Sequence, residues 1–379
     1  MNVVWAMQEP PERIERSMFL AGPTPRAGVG PAWRGEALEA LEALGYDGVV
    51  FVPEPEDGAW RQDYVGQVDW EERCLHMADV VVFWVPRELG DMPGFTTNIE
   101  WGVWHASGKV VLGSPPQAPK MRYMQAYAER LGVPQASTLA GTLERAIELM
   151  GAGAAREGGA REVPLHIWRT KEFQRWHASH VAAGHRLDGA RVEWQHRTSR
   201  GELFAWIVKV NVYVPEEARH KSGEVILGRL DTSSVLAFRR GESLEDTQIV
   251  LVREFRSAAS GPDAYVWELP GGSSFDGDVG PEDQATEELE EETGVRIEAR
   301  RLRAHGARQV AATLLTHQAH LYSVELTDEE LARFEAEAGV VHGAHDSERT
   351  TVHVVRVGEM LERGDVDWGV VGMVLSALA

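Results

Sequence analysis

At 379 residues the chain is longer than one hydrophobic core usually supports, and its 43% apolar and 26% charged residues suit two ordinary globular domains. With 38 Lys and Arg against 59 Asp and Glu, its formal charge of −21 argues against nucleic acid as a partner. Small anionic substrates stay open, because a local site or a divalent cation overrides the overall field.

Cys74 is the single cysteine, which excludes an intrachain disulfide and a cysteine-rich metal site, so a reducing, cytoplasmic setting is expected. The first fifteen residues carry Glu9, Glu12 and Glu15 with two prolines and lack the order of a signal peptide. Segments from 17 to 150 then alternate: strand 18–21, helix 32–44, strand 48–53, helix 70–77, strand 80–85, helix 98–107, strand 110–113 and helix 138–150. That order predicts a parallel sheet with helical crossovers, a flavodoxin-like α/β domain over residues 1–150. The run Ala78-Asp79-Val80-Val81-Val82-Phe83-Trp84-Val85 is too short to cross a bilayer and fits a strand buried on both faces, so no membrane partner is expected.

The strand Met18-Phe19-Leu20-Ala21 runs into Gly22-Pro23 at the carboxyl edge of such a sheet, where ligands bind and where a glycine lets a ligand approach the backbone. Gly22 and Pro23 are therefore candidate substrate contacts, with a structural turn as the alternative. Further on, Gly94 to Leu112 reads as glycine loop, helix, glycine and strand, with Glu100 inside the helix. Preceded by Ala78-Asp79-Val80-Val81-Val82, this stretch resembles the nucleoside 2-deoxyribosyltransferase family and its relatives that hydrolyse nucleotide N-glycosidic bonds. The resemblance spans residues 17–150 and implies that Glu100, followed by Gly102, is a nucleophile that attacks the anomeric carbon. A helix N-terminal acid stabilised by the macrodipole is the alternative for Glu100. The family's partner aspartate, expected six residues earlier, falls on Gly94, so Asp91 is the candidate in its place. Asp69 and Asp79 are candidates for ribose hydroxyls or for structural caps.

Between Gly151 and Gly159 the chain is small and flexible in composition, which predicts a linker over 151–162 and a second domain over 163–379. That domain reads as α+β, with strands at 203–214, 225–238 and 248–255 and an acidic helix at 281–293. The helix opens on Pro281-Glu282-Asp283 and closes at Gly294. Glu288, Glu291 and Glu292 stand at i, i+3 and i+4, so three carboxylates share one face. A solvated acidic face is one reading. The other is a Mg²⁺ site, with Mn²⁺ as substitute, completed by substrate phosphates.

The last eight positions, Glu288 to Val295, resemble the Nudix box G-x5-E-x7-R-E-U-x-E-E-x-G-U, and the domain is expected to have the Nudix fold. By resemblance Glu288, Glu291 and Glu292 bind metal with the Gly272 carbonyl. Two positions depart: Glu287 replaces the box arginine, and Val279 stands where the first box glutamate is expected, with Asp278 beside it. Leu251 to Arg256, Trp267 to Gly272, Val352 to Val355 and Glu359 to Gly364 resemble the ADP-ribose and sugar-nucleotide pyrophosphatase branch, covering residues 190–379. That likeness implies Glu348 as a catalytic carboxylate, against an ordinary loop residue. It also implies Arg256 as a phosphate contact and Trp267 and Glu268 as substrate contacts, Trp267 by stacking on a base, with a core or interface tryptophan as the alternative.

The expected function is a bifunctional nucleotide hydrolase with small nucleotide substrates: N-glycosidic cleavage or transfer in front, cleavage of ADP-ribose-like anhydrides behind, with NAD as a substrate that would link them. The alternative makes the Nudix domain a non-catalytic nucleotide sensor for a nucleotide-depleting front domain. A homodimer is expected from the branch.

Overall fold

In the computed structural model, which describes residues 1–25, 33–59, 62–275, 279–343 and 349–379, the short Val- and Phe-rich runs of the first half are parallel strands. They are β1 (Asn2–Trp5), β2 (Ser17–Ala21), β3 (Val49–Val52), β4 (Val80–Trp84), β5 (Val110–Gly113) and β6 (Gln135–Ala136). Every residue of β2 to β5 is buried, as expected of a sheet covered on both faces. Their order is β1-β3-β2-β4-β5-β6, all in parallel register. Helices α1 (Trp33–Ala43), α2 (Tyr64–Met77), α3 (Phe95–Trp104), α4 (Arg122–Arg130) and α5 (Leu139–Met150) cover the two faces. Alternation along each strand decides the partner: Phe19, Phe51, Val81 and Phe83 pack with Trp70 and Trp101. Leu20, Val50, Val82 and Trp84 pack with Leu41 and Leu143.

Strand order reverses between β2 and β4, so the chain leaves these neighbouring strands in opposite directions and opens a crevice at their carboxyl ends. Two helices that reach this crevice begin earlier than the apolar spacing predicts. Asp63 caps α2 by accepting from the Gly66 N–H, and Gly94, at φ 66°, turns the chain into α3.

The structure divides the chain into Met1–Ile226 and Leu227–Ala379, so the expected boundary at 151–162 differs from the observed one. The reason is Arg156, buried among the small residues of that stretch. It donates to both Asp79 carboxylate oxygens at 2.8 and 2.7 Å and to the Val163 carbonyl at 2.6 Å. Beyond it, α6 (Lys171–Ala182) sets Phe173 against Trp206, Val208 and Val210 of a three-stranded sheet. That sheet is β7 (Arg186–Arg197), β8 (Leu203–Val214) and β9 (Arg219–Arg229), in the order β9-β8-β7. The expected single strand at 225–238 is two strands, β9 and then β10 (Thr232–Arg239).

The second unit is a mixed sheet of β10, β11 (Gln248–Phe255), β12 (Tyr265–Glu268), β13 (Arg303–Gln309), β14 (Gln318–Glu325) and β15 (Thr350–Arg356), with the two-residue pairs Gly271–Gly272 and Val341–His342. The main path runs β13-β14-β10-β11-β15, and β10 lies parallel to β14. Strands β10 and β11 pair only at Phe238 with Ile249 and Arg239 with Gln248 before they part. Gly271 and Gly272 then pair with Ser234 and Ser233 of β10, while β11 takes β12. Helix α7 (Pro281–Thr293) buries Ala285 and Leu289 on Val235 and Val250; α10 (Trp368–Leu378) buries Val370 and Val374 on the other face. Between them in the chain lie α8 (Asp328–Ala336) and α9 (Val357–Glu362). No helix among the described residues is long and apolar enough to cross a membrane.

Candidate active sites

In the first unit a cavity of about 640 Å³ opens at the crevice, with Gly22, Pro23, Asp91 and Glu100 all on its lining. Four of the expected residues are thus brought together. The absence of a side chain at Gly22 has a local cause, since a Cβ there would stand 2.1 Å from the Trp84 carbonyl oxygen. Glu71 and Gln67 of α2 also line the cavity, and the Gln67 amide donates to the Glu71 carboxylate at 2.8 Å. Burial, with Glu71 adding repulsion, pushes the Glu100 carboxyl up to about 7. Burial likewise raises the Glu71 carboxyl above its ordinary value. Arg34, 2% exposed, donates to the Leu20 carbonyl at 3.1 Å, the Gly22 carbonyl at 2.7 Å and the Thr24 hydroxyl at 3.0 Å, and pairs with Glu54. It braces the β2 end of the crevice.

Asp79 does not belong to this cavity. It precedes β4 at the amino end of the sheet, where its carboxylate accepts from the Ser17 N–H and hydroxyl, from Arg156 and from the Leu165 N–H. The expectation of a substrate contact there gives way to a structural anchor, because its oxygens are fully engaged by the fold. Asp69 is exposed on α2. Glu71, Gln67 and Arg34 were not anticipated. Asp63-x-x-Gly66, an N-cap pattern that starts α2 at Tyr64, was the available signal for the first two.

In the second unit the parting of β10 and β11 presents the Gly271–Gly272 backbone to α7. Glu292 accepts from the Gly271 N–H at 2.8 Å. The Glu288 carboxylate lies directly over Gly272: a Cβ there would stand 2.3 Å from one of its oxygens, so any side chain would push that carboxylate from its present place. Glu288 and Glu292 are one helical turn apart and half-buried, whereas Glu291 and Glu287 point outward and are exposed. Among the described residues no group of three His, Cys, Asp or Glu side chains stands ready to hold a metal ion. Of the expected trio, Glu288 and Glu292 stand half-buried at the Gly271–Gly272 turn and Glu291 is exposed beside them on the helix. A pair still fits Mg²⁺, which is commonly held by one or two carboxylates and completed by phosphate oxygens and water. Burial pushes the Glu292 carboxyl up to about 8, against the Gly271 bond, with Glu288 and Glu254 adding repulsion.

Arg256 bridges Glu254 at 2.9 Å and Glu268 at 2.6 Å. Two of the expected substrate contacts, Arg256 and Glu268, thus meet each other. Trp267 does not offer a stacking face: it is 6% exposed, with the His353 ring centroid at 4.2 Å and the Arg363 guanidinium 4.0 Å from its own centroid. Core packing with the His353 ring and the Arg363 guanidinium close against it occupies the indole. Glu348 and Asp278 lie outside the described residues. Glu254, buried beside Arg256, was missed; its i, i+2 spacing from Arg256 on one strand face was the signal.

Residues 15–118 match the family model described as nucleoside 2-deoxyribosyltransferase like, and residues 231–360 match the NUDIX domain. The first match contains the cavity residues Gly22, Asp91 and Glu100; the second contains Gly272, Glu288 and Glu292. The three-stranded sheet falls in neither. No curated protein matches the chain. The chain therefore joins a nucleoside 2-deoxyribosyltransferase-like domain to a NUDIX domain, and the two together support a nucleotide-processing hydrolase.

Proposed function

We propose that the second unit is a Mg²⁺-dependent pyrophosphohydrolase of nucleoside diphosphate-linked substrates such as ADP-ribose, with Mn²⁺ as a substitute ion. The observation that carries this reading is the approach of Glu288 and Glu292 to the Gly271–Gly272 turn. These two carboxylates and the Gly272 carbonyl would hold the cation. When bound it would supply charge neutralisation at the phosphate oxygens and a more acidic water. Arg256 orients the phosphates by charge-assisted hydrogen bonds, and Glu348 is the proposed general base.

The first unit, in this proposal, cleaves an N-glycosidic bond. A Glu100 carboxylate oxygen attacks the anomeric carbon as the bond to the base breaks with its electron pair on the base. Water then splits the glycosyl ester: its hydroxyl bonds to the anomeric carbon, the ester C–O bond breaks with its electron pair on the Glu100 carboxylate, and the remaining proton passes to the departed base or to solvent. With a carboxyl value near 7, the attacking form of Glu100 becomes the majority above neutrality. The cavity mouth supports a flat base as one half of the substrate: Tyr64, Phe95, Ile99 and Val103 line it at 66–72% exposure. NAD would connect the two reactions, since loss of nicotinamide leaves ADP-ribose and hydrolysis of that gives AMP and ribose 5-phosphate. A cytoplasmic homodimer is part of the same proposal.

The test is chromatography of products from ADP-ribose, NAD and nucleoside monophosphates with Mg²⁺, using wild type, Glu292→Gln and Glu100→Gln. AMP and ribose 5-phosphate that disappear only with Glu292→Gln, and base release that disappears only with Glu100→Gln, are expected. Metal-independent binding of ADP-ribose without turnover would instead make the second unit a sensor.

A further inference from the structure

The NUDIX turn gathers more negative charge than its expected ligands alone. Glu254 and Arg256 alternate onto one face of the β11 end, and Glu268 reaches the same side from β12, where it lies opposite Val252. The Arg256 Nη2 touches both carboxylates, at 2.9 Å to Glu254 and 2.6 Å to Glu268, and Nε adds a second bond to Glu268 at 2.9 Å. Glu292 lies within electrostatic reach of both Glu254 and Arg256. A second guanidinium, Arg229, stands close enough for Arg256 to depress its value further. Two arginines stand beside at least four carboxylates, so the set keeps an excess of negative charge, and Arg256 is the cation already seated on Glu254 and Glu268.

We propose that Arg256 is a resident counter-ion of this turn, which an arriving divalent cation releases from Glu254 and Glu268 and which then receives a substrate phosphate. The proposal rests on reading the second unit as a cation-dependent pyrophosphohydrolase, and it adds a regulation of that site. Cation alone meets carboxylates that Arg256 already partly neutralises, and substrate alone meets an arginine already engaged. Each relieves the other's obstacle, so the two bind with positive coupling, and the coupling is reciprocal. The exposure of the Arg256 side chain, 44%, leaves it free to swing, while Glu254 at 8% stays in place. Substrate occupancy then controls when the cation is held.

The test is Mn²⁺ binding to the full chain by electron paramagnetic resonance, with and without the α,β-methylene analogue of ADP-ribose, which cannot be hydrolysed. In wild type the analogue is expected to tighten Mn²⁺ binding about tenfold or more. Arg256→Gln should bind Mn²⁺ alone roughly three- to tenfold more tightly than wild type, and should lose most of the coupling. Arg256→Lys keeps the charge without the fork and should fall between, which covers the case in which Arg256→Gln does not fold. Arg253→Gln, on the same strand but paired with Asp263, removes the same charge and should change neither quantity. Equal tightening by Arg253→Gln, or unchanged Mn²⁺ affinity and coupling in both Arg256 variants, overturns the proposal. A wild type that holds no Mn²⁺ even with the analogue sinks the cation-site reading itself, and the counter-ion role with it.

Discussion

Asp79 with Arg156 in the first unit, and Glu268 with Arg256 in the second, are close ion pairs of the same chemistry, at 2.7 and 2.6 Å. The first pair is 1% and 0% exposed, and its carboxylate also accepts from Ser17 and Leu165. The second is 28% and 44% exposed, and its arginine is shared with Glu254. Burial and saturation turn the first into a fastener for residues 156–165 within the first unit. Exposure and sharing leave the second able to exchange partners. A carboxylate's role here follows from how many of its hydrogen bonds the fold has already taken, more than from its place in a motif.

Rates give the strongest way to break that contrast. Glu100→Gln and Glu292→Gln are each expected to reduce their own reaction by about 10³ or more, in assays of base release and of AMP formation respectively. Exposed Glu291→Gln should cost no more than roughly a few-fold. A loss at Glu291 equal to that at Glu292 would restore a three-carboxylate site.

Stability comes next. Asp79→Ala strands Arg156 in the interior, and the unfolding of the first unit, followed by calorimetry and denaturant titration, should lose about 3–5 kcal/mol while AMP formation by the second unit persists. A loss below about 1 kcal/mol would mean that the pair is replaceable and the docking of residues 156–165 weak.

The Glu100 carboxyl sharpens the contrast through pH. Its folded value near 7 lies above the ordinary 4.5, so its contribution to stability is fully present below 4.5 and is lost as pH rises through 7. Glu100→Gln should therefore stabilise the first unit by roughly 2 kcal/mol at pH 8 and by about nothing at pH 4, read from denaturant midpoints. Wild-type base release should rise across the same interval. The smallest effect is expected at Trp267→Phe, at about 1 kcal/mol of stability in the second unit with an unchanged KM for ADP-ribose. A clear rise in KM would return the indole to the binding site.

Much of this molecule is legible from local pattern. Val80 to Trp84 is a strand because a short β-branched and aromatic run can only be buried on both faces, and Pro281 to Gly294 carries a helix's own start and stop. Gly272 entered through the resemblance, for its carbonyl, and the Glu288 carboxylate lying over it is visible only in the structure. The linker expectation failed on one residue, Arg156, whose partner lies 77 positions away. For Trp267 and Asp79 the sequence left a binding role and a structural role open, and core packing and a buried ion pair have taken those side chains.

What the sequence by itself determined is therefore the two fold classes, the acidic helix with its glycine turn, and Glu100 on a helix behind a glycine loop, all set by propensity, periodicity and capping within a few turns of chain. Only the tertiary structure decided that Glu71 shares a cavity with Glu100, that Glu291 faces outward, that Glu254 and Glu268 share Arg256, and that residues 156–226 belong with the first unit. These are matters of which distant groups satisfy a buried charge or fill a core, and such pairings depend on through-space distances that local sequence does not encode.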